Sequence, residues 1–401
     1  MKNHDSSTKK FFQVKKNELC GFVTEFKNEH WWQCFPISRG KYPFVIEVPY
    51  GVTVIKGNAF AGLKSGLNGD ICVVLPSGVQ EIEKNAFSGC EISKLIISDT
   101  VSKISPDAFR LAKIGEIEVD KANLAYKSEG GCLYNYEMSQ LLRYAGDHTD
   151  YTVASSVSVI GKRAFENTQN LECIYIPDTV TTIQDGAFYN SGIKSVSGAS
   201  SVTSIGQHVF ALCKRLHSFA MPIGVTYVNH RLFYLCESLE SITLSKDTKQ
   251  IGEESFYLCT SLAKIELPEE VRVIGKSAFE GCRALRTAEL PKRVTTIEDS
   301  TFKGCGFSEF VVGDTITKIG EEAFADCKRL KFVTIGASVN EMDGHVFFGC
   351  DKKMIVAIRG KEKGDKLPYN KRWNEISYTM LNKKLKNVAY VSEKGDIKKY
   401  M

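Results

Sequence analysis

The sequence predicts a β-rich solenoid: a right-handed coil with one short parallel strand per turn, in about 12–13 repeats of 22–23 residues. Three observations predict it. Phenylalanine recurs at Phe60, Phe87, Phe109, Phe165, Phe188, Phe210, Phe233, Phe256, Phe279, Phe302, Phe324 and Phe347, and from Phe165 onward every step is 22 or 23 residues. Other positions keep the same step. Ile, Val or Met stands five residues before each Phe, and ten of the twelve residues eight before it are Val. Cysteine follows three after the Phe in eight repeats, at Cys90, Cys213, Cys236, Cys259, Cys282, Cys305, Cys327 and Cys350.

The clearest copy reads CRALRTAELPKRVTTIEDSTF, from Cys282 to Phe302. Its Leu285 to Leu290 segment alternates like a short strand. Pro291 then stops it, because proline cannot donate to a continuing ladder. Val294 and Ile297 form a second apolar pair ahead of a tight turn, where other copies carry Gly161, Gly206, Gly252, Gly275 and Gly320. The Ala-Phe that follows drives a ring inward. A unit this short cannot bury its own apolar side, so copies stack and share one core. The repeated Phe, Ile, Val and Cys are therefore read as core, with successive strands about 4.8 Å apart.

This unit resembles that of the BspA-like, or Treponema-type, leucine-rich repeat family, close to C-x-x-L-x-x-I-x-I-P-x-x-V-x-x-I-G-x-x-A-F, over about residues 43 to 350. The resemblance makes the fold a leucine-rich-repeat solenoid. Between Phe109 and Phe165 the period breaks, and IEVDKANLAYKSEGGCLYN resembles the family's longer unit. There CLYNYEMSQLLRY reads as a β-hairpin turning near Asn135 to Met138, an insertion on one edge at about residues 115–150. LPYNKRWNE near the C-terminus is similar to the family's closing cap. Residues 1–42 form an N-terminal cap in this reading, with Trp31, Trp32, Phe35 and Phe44 shielding the first coil, and residues 351–401 a C-terminal cap and basic tail. The resemblance implies a non-enzymatic recognition protein of a bacterial or protozoan surface, engaged in adhesion.

Along each strand the residue between two buried aliphatics points outward. That column runs Glu47, Val74, Ile96, Glu118, Tyr175, Ser197, Ala220, Thr243, Glu266, Glu289, Val311 and Thr334, and a flanking column includes Lys94, Lys264, Thr287, Glu309 and Phe332. Exposed aromatic and aliphatic clusters are what binding surfaces use. The candidate contact residues are Val74, Ile96, Tyr175, Glu266, Glu289, Val311 and Phe332. The expected partner is a protein or glycan and the expected state a monomer; no small-molecule substrate, cofactor or nucleic acid is anticipated. A second reading is an intracellular scaffold for protein–protein interaction whose basic tail engages an anionic partner.

Composition sets limits. The 43% apolar, 25% charged chain has no run of eighteen apolar residues, which excludes a membrane-spanning helix. Its start lacks an apolar leader core, so as written it carries no export signal, and either a cytoplasmic protein or an exported one that has lost its leader is compatible. The +5 net charge divides into +4 over residues 1–16, +9 over residues 352–401 and −8 between them. The thirteen cysteines are an odd number without a C-x-x-C, which points to reduced, apolar thiols rather than disulfides or a metal site. His208 and His345 share a slot two before the Phe and are expected to be solvated. No phosphate-binding or nucleophile-elbow motif occurs.

Overall fold

The computed structural model describes residues 12–22, 44–64, 70–361, 366–376 and 387–391. Among these there is no helix; short strands and turns alternate throughout. The chain forms two compact units, Met1–Leu171 with Thr182–Ser191, and Glu172–Thr181 with Gly192–Met401. Each is a stack of coils of the predicted leucine-rich-repeat solenoid type.

In the first unit the outer strands Phe44–Glu47, Ile71–Val74, Glu91–Ile97 and Lys113–Val119 pair in parallel in that order. A second ladder joins Val54–Ile55, Glu81–Ile82 and Lys103–Ile104, setting Ile55, Ile82 and Ile104 in one register. An antiparallel hairpin, Phe12–Lys15 with Glu18–Phe22, covers the open edge of this ladder by pairing Leu19 with Ile55. Trp31, Trp32 and Phe35, assigned to that role from the sequence, lie outside the described residues, as does the side chain of Phe44.

In the second unit Cys173–Ile176 pairs with Ser195–Gly198, Ser218–Ala220 with Ser241–Thr243, and Glu309–Val311 with Phe332–Ile335, all in parallel. Ile355–Arg359 and Val388–Val391 extend the last sheet.

The core is the phenylalanine column. Phe60 and Phe87 stack at 4.8 Å, and Phe165 and Phe188 at 4.9 Å. Phe210, Phe233, Phe256, Phe279 and Phe302 follow one another at 5.6, 5.4, 5.3 and 5.6 Å with ring planes within 10°. The spacing is close to one strand separation, so each coil advances the ring by one ladder step. Offset stacking of this kind adds to burial. Trp373 meets the last ring, Phe347, edge-on at 6.4 Å, and is itself buried.

Two left-handed residues bracket the rings. Two before the Phe stand residues such as Asn58, Asn85, Arg163, Arg231 and Glu254, and two after it Gly62, Asn167, Leu235, Leu258 and Gly281, all with positive φ. The turn reverses sharply at both places, which is why Gly and Asn recur there. The glycines placed in a tight turn before the Phe have another cause. Gly252, Gly275 and Gly320 do not have positive φ; a Cβ on any of them would lie within 2.8 Å of the preceding coil's backbone.

The long unit contains the expected hairpin, Cys132–Asn135 with Gln140–Arg143, and differs from the expectation in its setting. Tyr126–Glu129, Cys132–Asn135 and Gln140–Arg143 form a three-stranded antiparallel meander, with Gly130 and Gly131 both left-handed at its first turn. The last strand is no edge insertion: Gln140 and Leu141 pair in parallel with Val159 and Ile160, and Tyr144 stacks on Phe165 at 5.2 Å. Leu141 and Tyr144 thus take the Ile and Phe slots of a modified coil. Asn123 ties its entry, donating to the Ser98 and Val101 carbonyls and accepting from the Ala125 and Tyr126 amides.

Candidate functional site

The outward column is built by strand pairing. Glu47, Val74, Ile96 and Glu118 stand side by side in register on four consecutive strands. Val74 and Ile96 are half-buried neighbours, and the outer residues Glu47 and Glu118 are exposed. Lys94 reaches both acidic neighbours on the next strand, Glu116 at 3.3 Å and Glu118 at 2.6 Å. Those contacts hold its ammonium pKa above the ordinary value, the hydrogen bond that Lys94 donates to Glu118 contributing most. Exposed Val45 lies in the flanking row, opposite Cys72. The result is a small aliphatic patch with a charged border.

In the second unit Tyr175 is 46% exposed and lies beside Gly198, whose missing side chain leaves room for the ring. Glu266 and Glu289 are exposed on consecutive coils. Glu266 is neutralised by Lys264 at 2.6 Å, which draws its carboxyl pKa below the ordinary range. Val311 is 58% exposed.

Phe332 and Thr334 break the pattern. Phe332 is 8% exposed and packs with Ala357 and Val391 in a small apolar cluster, so its place in the outward row does not make it accessible. Strand alternation does not reveal that the terminal strands bury this side chain. His345 is likewise 7% exposed rather than solvated, with Nε2 3.3 Å from Glu375 and Nδ1 3.7 Å from Glu321. His208 is half-buried, edge-on to His230 at 5.3 Å.

Other exposed apolar residues escaped the sequence reading. Tyr227 and Val273 sit on the second ladder, aligned through Gln250, and are 48% and 46% exposed. The signal was the same alternation, applied to the residue just before each buried Ile or Val. Ile223, Tyr50 and Leu124 occupy loops, where no alternation marks them.

The long unit holds a buried polar network, also unforeseen. Arg143 fills the slot that is Ala in seven repeats, and its guanidinium donates to the carbonyls of Ala112 at 2.6 Å, Arg163 at 3.0 Å and Glu166 at 3.0 Å. Burial lowers its pKa, with Glu166 opposing. The fully buried Glu166 accepts the Leu111 amide at 2.8 Å and pairs with Arg163. Arg163 and Lys162 both bind Asp107, at 3.0 and 2.9 Å. Burial raises the Asp107 carboxyl, and these partners outweigh it, leaving the group below its ordinary value. The network replaces backbone bonds that a regular coil would make, because buried amides and carbonyls must find partners.

No described set of three or more His, Cys, Asp or Glu is placed to hold a metal, and no described helix is long and apolar enough to cross a membrane. A model of the BspA type leucine rich repeat region, in six copies, matches residues 44–143, 139–263 and 249–363. The chain belongs to the BspA-type leucine-rich repeat family.

Among solved structures, this BspA-type chain is similar to a leucine-rich repeat protein from Eubacterium ventriosum, at 23% identity and a TM-score of 0.54 over 72% of this chain and 88% of that one. It is also similar to a leucine rich cell surface protein from Faecalibacterium prausnitzii, at 18% identity and a TM-score of 0.43 over 97% and 94% of the two chains. The first likeness shows the fold. No curated protein matches the chain significantly. Membership in the BspA-type family suggests a role in protein binding or adhesion.

Proposed function

We propose that the protein is a non-enzymatic binding protein that holds a protein or glycan partner on its outward strand column. The observation that carries this reading is the register of Val74 beside Ile96 between Glu47 and Glu118. An apolar centre with a polar rim is the anatomy of a contact surface. In the other unit Tyr175, Glu266, Glu289 and Val311 serve the same role, with Phe332 contributing only through its packing at the column's terminal end. The family resemblance implies a surface location and a role in adhesion; in this reading the chain acts as a monomer.

The test is a binding screen of the purified chain against matrix proteins and glycans, followed by Val74→Glu and Tyr175→Ala. Both variants should keep their fold and weaken whichever partner the screen finds. Unchanged affinity in both would refute the column.

Intracellular scaffolding is a second reading, favoured by one observation. The described cysteines are all free thiols, eleven of them partly or wholly buried, which suits a reducing compartment. Locating the native chain in fractionated cells separates the two: a surface fraction supports adhesion, a cytosolic one scaffolding.

A further inference from the structure

Phe302 and Phe324 are 22 residues apart, whereas the coils on either side run 23. The missing residue comes from the segment after the ring. Cys282 is followed by Arg283 and Ala284 before Leu285, but Cys305 by Gly306 alone before Phe307. Phe307 takes the Leu slot, fully buried, 5.6 Å from Phe302 and 4.9 Å from Phe310, and the shortened connection is drawn inward. Close packing enforces this course. A Cβ on Gly306 would lie 2.2 Å from the Arg283 carbonyl oxygen, and Arg286 Nη1 donates to the Gly306 carbonyl at 2.9 Å. The two coils also carry glycine in the left-handed slot after the ring, at Gly281 and Gly304, where the flanking coils carry Leu258 and Asp326. Together these losses of side chain open a cleft of about 550 Å³.

Its rim is basic. Arg283 stands on one wall and Lys328 and Arg329 on the other, all exposed, and among the described residues none of the three stands in an ion pair. Lys303 lies between them, paired with Glu322 at 2.6 Å, and Glu280 and Asp326 complete the polar lining. This cationic spot sits within a stretch of the chain whose net charge is negative, so it is a local reversal of sign.

We propose that this cleft binds an acidic polysaccharide, whose sulfate or carboxylate groups are held by Arg283 on one side and by Lys328 and Arg329 on the other. Arg283 and Lys328 occupy one slot two coils apart, roughly 10 Å at one strand spacing per coil. That span suits charges repeated along a linear sugar chain. Glu280 and Asp326 accept hydrogen bonds from hydroxyls between the charges, and the glycines let the chain lie close to the backbone. An acidic peptide fits less well. Protein contacts rest on apolar anchors in pockets, and Leu258 is the one half-exposed apolar side chain lining this cleft. The site lies on the corner after the ring, away from the strand column, and stands independently of it.

The test measures the full chain against immobilised heparin, polygalacturonate and dextran by biolayer interferometry, at low and at physiological salt. At least one of the two acidic polymers should bind, more tightly at low salt, and dextran should not. The double variant Arg283→Ala/Lys328→Ala should lose about tenfold or more in affinity. Lys246→Ala, an exposed cation elsewhere, should lose nothing, and thermal melting of all variants should match the parent. Equal binding by the parent and the double variant, or no binding of either polymer at low salt, would overturn the site. Equal competition by polyglutamate or by duplex DNA would overturn its assignment to a polysaccharide. Tyr175→Ala and Val74→Glu should leave this binding intact, so failure here and failure of the strand column are read apart.

Discussion

The thiol of Cys282 donates to the backbone carbonyl of Phe256, one coil back, at 3.2 Å. The same bond joins Cys236 to Phe210, Cys259 to Phe233, Cys305 to Phe279, Cys327 to Phe302 and Cys350 to Phe324, at 3.0 to 3.2 Å. Cysteine is small and apolar enough for the core and still carries a weak donor. It therefore gives a second donor to a buried carbonyl that already accepts one amide, as Phe256 does from Cys259 at 3.1 Å, where Ala or Val would leave that second acceptor site unused. Cys282→Ala should destabilise by about 1 kcal/mol or more, the worth of one hydrogen bond plus a small void. Cys282→Ser, which keeps a donor, should fall closer to the parent in a urea titration than Cys282→Ala. A ranking with Ser below Ala would mean that thiol packing, not the bond, matters.

Burial gives these thiols a pH signature. It pushes Cys90 and Cys350 up to about 12 from the ordinary 9.0, the dominant cause in each. Above pH 9 the unfolded chain releases these protons while the folded chain keeps them, so stability is full below that pH and declines as pH rises toward 12. The slope is at most about 1.4 kcal/mol per pH unit for each thiol. Cys90→Ala should flatten the fall measured by urea denaturation between pH 9 and pH 11. In the native state exposed Cys173 should alkylate well before any ladder thiol.

Gly198 is left-handed, and a Cβ on it would lie 2.0 Å from the Ile176 carbonyl oxygen. Both the turn and the neighbouring strand exclude a side chain. Gly198→Ala should cost at least about 2 kcal/mol in thermal or chemical denaturation.

Removal of the Arg143 guanidinium, as in Arg143→Met, should cost about 3–5 kcal/mol. The Ala112, Arg163 and Glu166 carbonyls would each lose a donor, although Arg163 keeps the Glu166 amide, and Glu166 would lose a compensating charge. A loss under about 1 kcal/mol would show that the network is solvated rather than structural.

The repeated rings, the aliphatic slots and the parallel ladder were legible in the sequence because one constraint recurs in every coil. Val74, Ile96, Tyr175, Glu266, Glu289 and Val311 were assigned their outward direction by strand alternation alone. What was not legible depends on a single event rather than on the repeat. Phe332 is covered by a sheet that only the terminal strands complete, His345 by a chain segment thirty residues on. Tyr144 stands in for a ring where the period fails, and Arg143 stands where Ala is the rule. The thiol bonds needed coordinates because cysteine's spacing says where it sits and not which carbonyl faces it.

Within each unit the coils hold together only through their neighbours, along a column of stacked rings. Hydrogen exchange by mass spectrometry on Phe256→Ala tests it most directly. The substitution should cost roughly 3–5 kcal/mol, with loss of amide protection centred on the coils of Phe233, Phe256 and Phe279 and fading with each further coil. Protection lost evenly across the whole of Gly192–Met401, or confined to residue 256 and its chain neighbours, would contradict it.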